Sequence, residues 1–290
     1  MGTLGDFRID RVVEWEGPFV RPDELFPGLP AGLVEATTAW AGPVVSNDGL
    51  LRLSFHSFLL RTGRHTILVD GCCGNDKERP SRPQGHRRTG GAYLAELARH
   101  GVRPEEVDIV MCTHLHWDHV GWNTRLVDGT WVPTFPNARY VMARREYEHW
   151  DALHAAGDRS MHAIAFGDSG APVVRAERAV LVDDGHENGP GVQVTLWPGH
   201  TPGNAVIDLR SKGARGVFSG DVLHSPLQLA APALSSRACW DEALSREARV
   251  RFIERHADTA DVVMPAHFLA PSAGRIVRRG EAFGFVPGGG

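Results

Sequence analysis

Apolar and polar positions alternate with two different periods along the chain. Phe55–Leu60 and His65–Asp70 are rich in β-formers, and Thr62-Gly63-Arg64 between them supplies a turn, so the pair predicts a hairpin. Residues 71–91 then turn polar, with two Pro and several Gly, a length that suits a functional loop or lid better than a plain connector. In Ala92–His100 the apolar residues Leu94, Leu97 and Ala98 share one helical face, and Gly101 stands where a helix would stop. Val107–Cys112 reads as a buried strand, Ala138–Ala143 as another, and Arg144–Ala155 as a helix. After Gly170 the pattern is strand-rich, with Val192–Leu196, Ala205–Leu209 and Gly216–Ser219. A long helix from Asp241 to His256 follows, with Ala243, Leu244, Ala248 and Phe252 for its core face, and then a strand over Asp261–Met264. The tail, Pro287–Gly290, is expected to fray.

At 290 residues the chain can bury a substantial core without staples. Neither half shows a repeat or a linker. The reading is one domain over residues 1–290, an α/β (α+β) protein of two similar halves, with residues 1–50 as an N-terminal extension packed on the core. A formal charge of -4 argues against nucleic acid as a partner, because phosphate binding needs an excess of Lys and Arg. Four cysteines, two of them adjacent (Cys72 and Cys73), suit a reduced, cytoplasmic setting. No basic-then-apolar leader and no run of 18 apolar residues is present, so neither export nor a membrane partner is expected.

Fifteen histidines are many for this length, and five of them fall in donor-rich segments. Thr113–Asn123 reads THLHWDHVGWN directly after the strand Val107–Cys112. A strand end opening into a loop suits ligands, since the sheet fixes the strand while the loop turns side chains toward one point. His114 and His116 project to one side of an extended backbone, and Asp118 and His119 follow one turn later. One histidine alone reads as a backbone cap or a core hydrogen bonder; four donors in six residues read as a metal cluster. The donors suit Zn, Mn, Co or Fe, and the lack of Cys among them argues against a closed structural zinc site. Three more segments run from a short strand to a donor: VTLWPGH to His200, VFSGD to Asp221 and VVMPAH to His267.

In these motifs the sequence resembles the metallo-β-lactamase superfamily. HLHWDH matches its HxHxDH signature, and His200, Asp221 and His267 come in the order that superfamily requires, a likeness running from Phe55 to Phe268. The resemblance implies a four-layer αβ/βα sandwich with two divalent metal ions at one edge, zinc first among the candidates and Mn, Co or Fe accepted. It implies that one ion takes His114, His116 and His200, the other Asp118, His119 and His267, and that Asp221 bridges them. A hydroxide shared by the ions would attack a small-molecule substrate, with Asp118 orienting it. The length and the complete ligand set point to the lactonase and phosphotriesterase-like branch: a small ester or lactone first, a phosphotriester as the alternative, and a non-catalytic metal-binding protein of the same fold last. Relatives of this kind are commonly homodimers. Acyl-homoserine lactonases place a Tyr three residues after the bridging Asp; here His224 stands there, and its imidazole is expected to donate to the developing oxyanion.

Outside that set, Asp70 reads either as a strand stop or as an outer partner of a ligand histidine. Trp117, Trp122 and Phe268 could line a pocket, though packing is the ordinary role of tryptophan. His56 and the Cys72-Cys73 pair read as core residues, and Arg87-Arg88 beside His86 as loop charge.

Overall fold

The computed structural model describes residues 2–288. The strands in chain order are β1 (Gly2–Leu4), β2 (Phe7–Val20), β3 (Leu51–Arg61), β4 (Thr66–Val69), β5 (Ile109–Met111), β6 (Thr124–Val127), β7 (Thr130–Pro133) and β8 (Arg139–Ala143). They continue with β9 (Ala179–Val182), β10 (Val192–Leu196), β11 (Ala205–Ser211), β12 (Ala214–Gly220), β13 (Val262–Pro265), β14 (Gly274–Arg279) and β15 (Ala282–Pro287). The chain forms two compact units: one from Asp6–Glu14 and Phe55–Asp184, the other from the chain up to Gly5, Trp15–Ser54 and everything from Gly185 onward.

The unit that holds Phe55–Asp184 is built on strands in the order β2-β3-β4-β5-β8-β9. β4, β5, β8 and β9 are parallel, with Ile67 opposite Ile109, Val110 opposite Tyr140 and Val141 opposite Val180. Parallel strands are covered on both faces, which is why Ile-Leu-Val and Ile-Val-Met run without polar interruption. Leu68, Val110, Tyr140, Leu97, Trp122 and Trp150 meet in its core. In the second unit the order is β10-β11-β12-β13-β14-β15, antiparallel except for β12 with β13. Its core gathers Val206, Val217, Val263, Phe252 and Phe285.

Most predicted elements lie within two residues of those observed, and the helix Arg144–Ala155 and strand Val192–Leu196 coincide. The helix Glu242–His256 buries Ala248 and Phe252 as its sequence suggests, but the buried face is shifted and takes in polar residues. Ser245, Ala248, Arg249, Phe252, Ile253 and His256 are inside, while Ala243 is exposed, because the polar members of this face find partners within the fold. The long strand β2 escapes the apolar pattern because Arg8, Arg11, Glu14 and Glu16 interrupt it. β15 stays ordered through Pro287, and Gly289-Gly290 lie outside the described residues.

The polar loop 71–91 is tied down rather than free. The Glu14 carboxylate, with its side chain 2% exposed, accepts from the Cys73 and Gly74 amides at 2.8 and 3.1 Å and from Trp122 Nε1 at 2.7 Å. Arg79, fully buried, grips Asp168 with two hydrogen bonds of 2.8 and 2.9 Å. Lys77, equally buried, reaches Thr124 Oγ1 at 2.7 Å, lies 3.4 Å from Asp168 Oδ1 and stands 3.5 Å above the Trp131 ring. Burial pushes the Lys77 ammonium down to about 7 against the pull of Asp168. The unfolded chain therefore holds more protons than the native one between about 7 and the ordinary lysine value, and this group makes stability rise with pH across that window. Lys77→Met should flatten the rise. Parallel stability curves for the two proteins in urea, across the same window, would contradict it.

Candidate metal centre

In the first unit every predicted donor follows directly from β5. Asp70, at the end of β4, is the anchor: its carboxylate accepts from the Thr113 amide at 2.8 Å, from Thr113 Oγ1 at 2.9 Å and from His119 Nδ1 at 2.9 Å. It holds a positive φ of 61°, a conformation Asp tolerates better than most residues, and Cys72 two positions on has φ 45°. Thr113 Oγ1, donating to Asp70, accepts in turn from His114 Nδ1 at 3.1 Å. Both bonds put a proton on Nδ1 and leave the Nε2 lone pairs of His114 and His119 for a metal. The two rings lie 4.0 Å apart, His114 and His116 are 4.6 Å apart, and the nearest Asp118 oxygen is 4.0 Å from His119 Nε2. His116 stacks on His162 at 3.7 Å and meets Trp150 edge-on.

Two features that local sequence reading missed hold this loop. Buried Glu146 accepts from the Leu115 amide at 3.0 Å and from Trp150 Nε1 at 2.7 Å, clamping the motif from the neighbouring helix. Gly121 lets the chain after the motif pass against Cys73: its amide donates to Cys72 O at 2.7 Å, and a Cβ there would overlap the Cys73 carbonyl. Cys72 and Cys73 are buried, and burial together with Glu14 raises both thiols far above their usual range, which makes them inert packing groups. Trp122 stacks on Tyr93 at 5.0 Å and Trp117 packs on Phe55, so both tryptophans act in packing. His56 is buried against Phe58, and Arg87 pairs with Glu78 in its own loop.

In the second unit the predicted donors surround one carboxylate. Asp221, buried at the end of β12, has His200 Nε2 at 3.3 Å, His224 Nε2 at 3.2 Å and His267 Nε2 at 3.2 Å. His267 Nδ1 donates to Ser54 O at 3.0 Å, and His200 Nδ1 faces Cys239 Sγ at 3.6 Å. With its proton on Nδ1, His267 turns its Nε2 lone pair toward the Asp221 carboxylate. Such an arrangement is repulsive until a cation lies between them. The spacing fits one: metal–nitrogen bonds of about 2.0–2.1 Å in tetrahedral geometry put neighbouring donors roughly 3.3 Å apart. His200, Asp221 and His224 alone offer three buried ligand atoms within 4.8 Å of one another. His224 is fixed by its amide, which donates to Gln228 Oε1 at 2.7 Å, and by an edge-on contact with Phe26.

Imidazole and carboxylate clusters at strand ends of a mixed α/β fold, with outer partners that free metal-facing nitrogens, suit a metal-dependent hydrolase. The metallo-beta-lactamase superfamily model matches residues 54–267, and the chain belongs to that superfamily. An N-acyl homoserine lactonase, AttM of Azorhizobium caulinodans, is 27% identical over 239 residues, 77% of this chain and 80% of its own. A crystal structure of AbOPH, a hydrolase in the beta lactamase superfamily, superposes with a TM-score of 0.81 at 25% identity, covering 98% of this chain and 95% of that one. AidC, a dizinc quorum-quenching lactonase, shares the fold with a TM-score of 0.80 at 19% identity, over 99% and 96% of the two chains. Among the described residues no helix is long and apolar enough to cross a membrane.

Proposed function

We propose that the two donor clusters serve one dinuclear centre and that the chain there hydrolyses a small ester, with a lactone as the favoured form. Two imidazole nitrogens, those of His200 and His267, set 3.2–3.3 Å from the Asp221 carboxylate carry this reading, because cations beside that carboxylate would find all three groups within ligand reach. His114, His116 and His200 would hold one ion, Asp118, His119 and His267 the other, and Asp221 would bridge them. Zinc suits these donors best, with Mn, Co and Fe acceptable. When bound, two such ions supply Lewis acidity that lowers the pKa of water and polarises a carbonyl or phosphoryl oxygen.

The chain's own groups do the remaining work. Asp118, the least enclosed of the ligands, accepts a hydrogen bond from the attacking water and aims it. His224, beside the bridge, donates to the oxygen that gains charge as the carbonyl is attacked. Asp70 keeps His119 in the tautomer that binds metal. The lactone preference is supported by the lactonase at 27% identity, which this chain matches over most of its length.

Assay of the zinc-loaded protein on acyl-homoserine lactones, simple aryl esters, thioesters and a paraoxon-like phosphotriester tests the reading. Lactones should show the highest kcat/KM; faster phosphotriester turnover would reverse the substrate order, and no turnover of any between about pH 6 and 9 would refute hydrolysis altogether. His224→Phe should cut kcat by roughly tenfold to a hundredfold while leaving metal content unchanged. An unaltered rate would remove the proposed role of His224.

A further inference from the structure

Each of the ligand imidazoles whose outer partner is described above leans on an oxygen except His200, which leans on a thiol. Cys239 Sγ lies 3.6 Å from His200 Nδ1 and donates to Ser245 Oγ at 3.1 Å. Ser245 Oγ also accepts from Arg249 Nη1 at 3.4 Å. Arg249 is fully buried, and the partners described for it are oxygens of Ser245, Ser235 and Pro232, with no carboxylate. Burial pulls its guanidinium down to about 10, so it stays protonated at neutral pH. A guanidinium can only donate. Ser245 Oγ therefore accepts from Arg249, and its second lone pair takes the Cys239 S–H, which leaves the sulfur lone pairs facing His200.

The backbone reinforces this arrangement. The Trp240 amide donates to His200 O at 2.8 Å and the Asp241 amide to Gly199 O at 3.1 Å. Gly199, at φ +140°, has no room for a Cβ, which would come 2.5 Å from the Ser245 amide. The segment that carries His200 is thus pressed onto the first turn of the helix Glu242–His256, where Asp241 caps the Leu244 amide.

We infer that the Arg249–Ser245–Cys239 chain is a positioning relay that holds His200 in its Nδ1–H form, with Nε2 turned toward the metal. The inference deepens the dinuclear reading and rests on it. A thiol is a weaker acceptor than the carboxylate that orients His119 or the carbonyl that orients His267. The ion on His200 is therefore the more readily lost of the two. Outer partners of metal-bound histidines are worth roughly 10–100-fold in affinity.

The test uses the full chain loaded with zinc, challenged with a competing chelator, alongside Cys239→Ala and Cys239→Ser. Loss of zinc from the wild type should occur in two steps. Cys239→Ala should weaken the weaker step by roughly tenfold or more and leave the other unchanged, and Cys239→Ser, which restores an acceptor, should recover most of the loss. Imidazole nitrogen NMR of the same samples should show the His200 Nδ1 proton protected from exchange in the wild type and the Ser variant and exchanging in the Ala variant. Identical zinc release and identical exchange in wild type and Cys239→Ala would overturn the relay alone. A wild type that retains no zinc would overturn the two-metal reading beneath it.

Discussion

Asp221→Ala should lose at least one metal ion per chain and cut kcat/KM by about a thousandfold or more. The carboxylate is the one group that three imidazoles share, at 3.2, 3.2 and 3.3 Å. Removing it deletes two donor oxygens at once and separates His200 from His267 with nothing between them to coordinate. Losing a metal removes Lewis acidity that is worth several kcal/mol in the transition state, and each 1.36 kcal/mol is a factor of ten in rate. The fold should survive, since Asp221 sits at the end of β12 and not in its ladder. Elemental analysis beside steady-state kinetics reads both effects. A variant with full metal content and undiminished turnover would remove Asp221 from the centre.

Asp168→Ala should be the most destabilising single change, by about 3–5 kcal/mol, because it leaves buried cations without their carboxylate. Arg79 would lose both of its bonds to that side chain, and Lys77 the carboxylate oxygen 3.4 Å away. Loop 71–91 should come loose with them, so activity should fall through a raised KM as well as through instability. Urea unfolding measures the first effect and substrate saturation the second. Asp168→Asn keeps the shape but not the charge and should fall between the two. A variant whose unfolding midpoint stays within error of the wild type would show that Glu14 and the surrounding packing suffice to hold the loop.

The candidate donors were legible in the sequence because a metal site demands particular atoms, and those atoms come from few residue types. His114, His116, Asp118 and His119 stand within six positions, and each later donor ends a short apolar strand. The groups that hold those donors in place are of another kind. Arg79 finds Asp168 across 89 positions, and Trp122 finds Glu14 across 108. No local pattern marks Glu14, Glu146 or Cys239 as partners of the site, since a glutamate in a strand, one on a helix and a cysteine in a loop all have ordinary roles. Asp70 lay between the two cases: a strand-ending Asp can stop a turn or orient a histidine, and only the bond to His119 Nδ1 decides. The helix Glu242–His256 teaches the same lesson from its packing. Its apolar residues suggested one face, yet Ser245, Arg249 and His256 are buried because each finds a partner far from its own turn or across the helix end.

Anomalous diffraction from a zinc-loaded crystal, recorded at the zinc edge, addresses the central claim most directly. Two peaks should appear about 4 Å apart or closer, one on each side of the Asp221 carboxylate, with the His114 cluster and the His200 and His267 imidazoles around them. A single peak away from Asp221, or none, with the three imidazoles still gathered around a bare carboxylate, would contradict it.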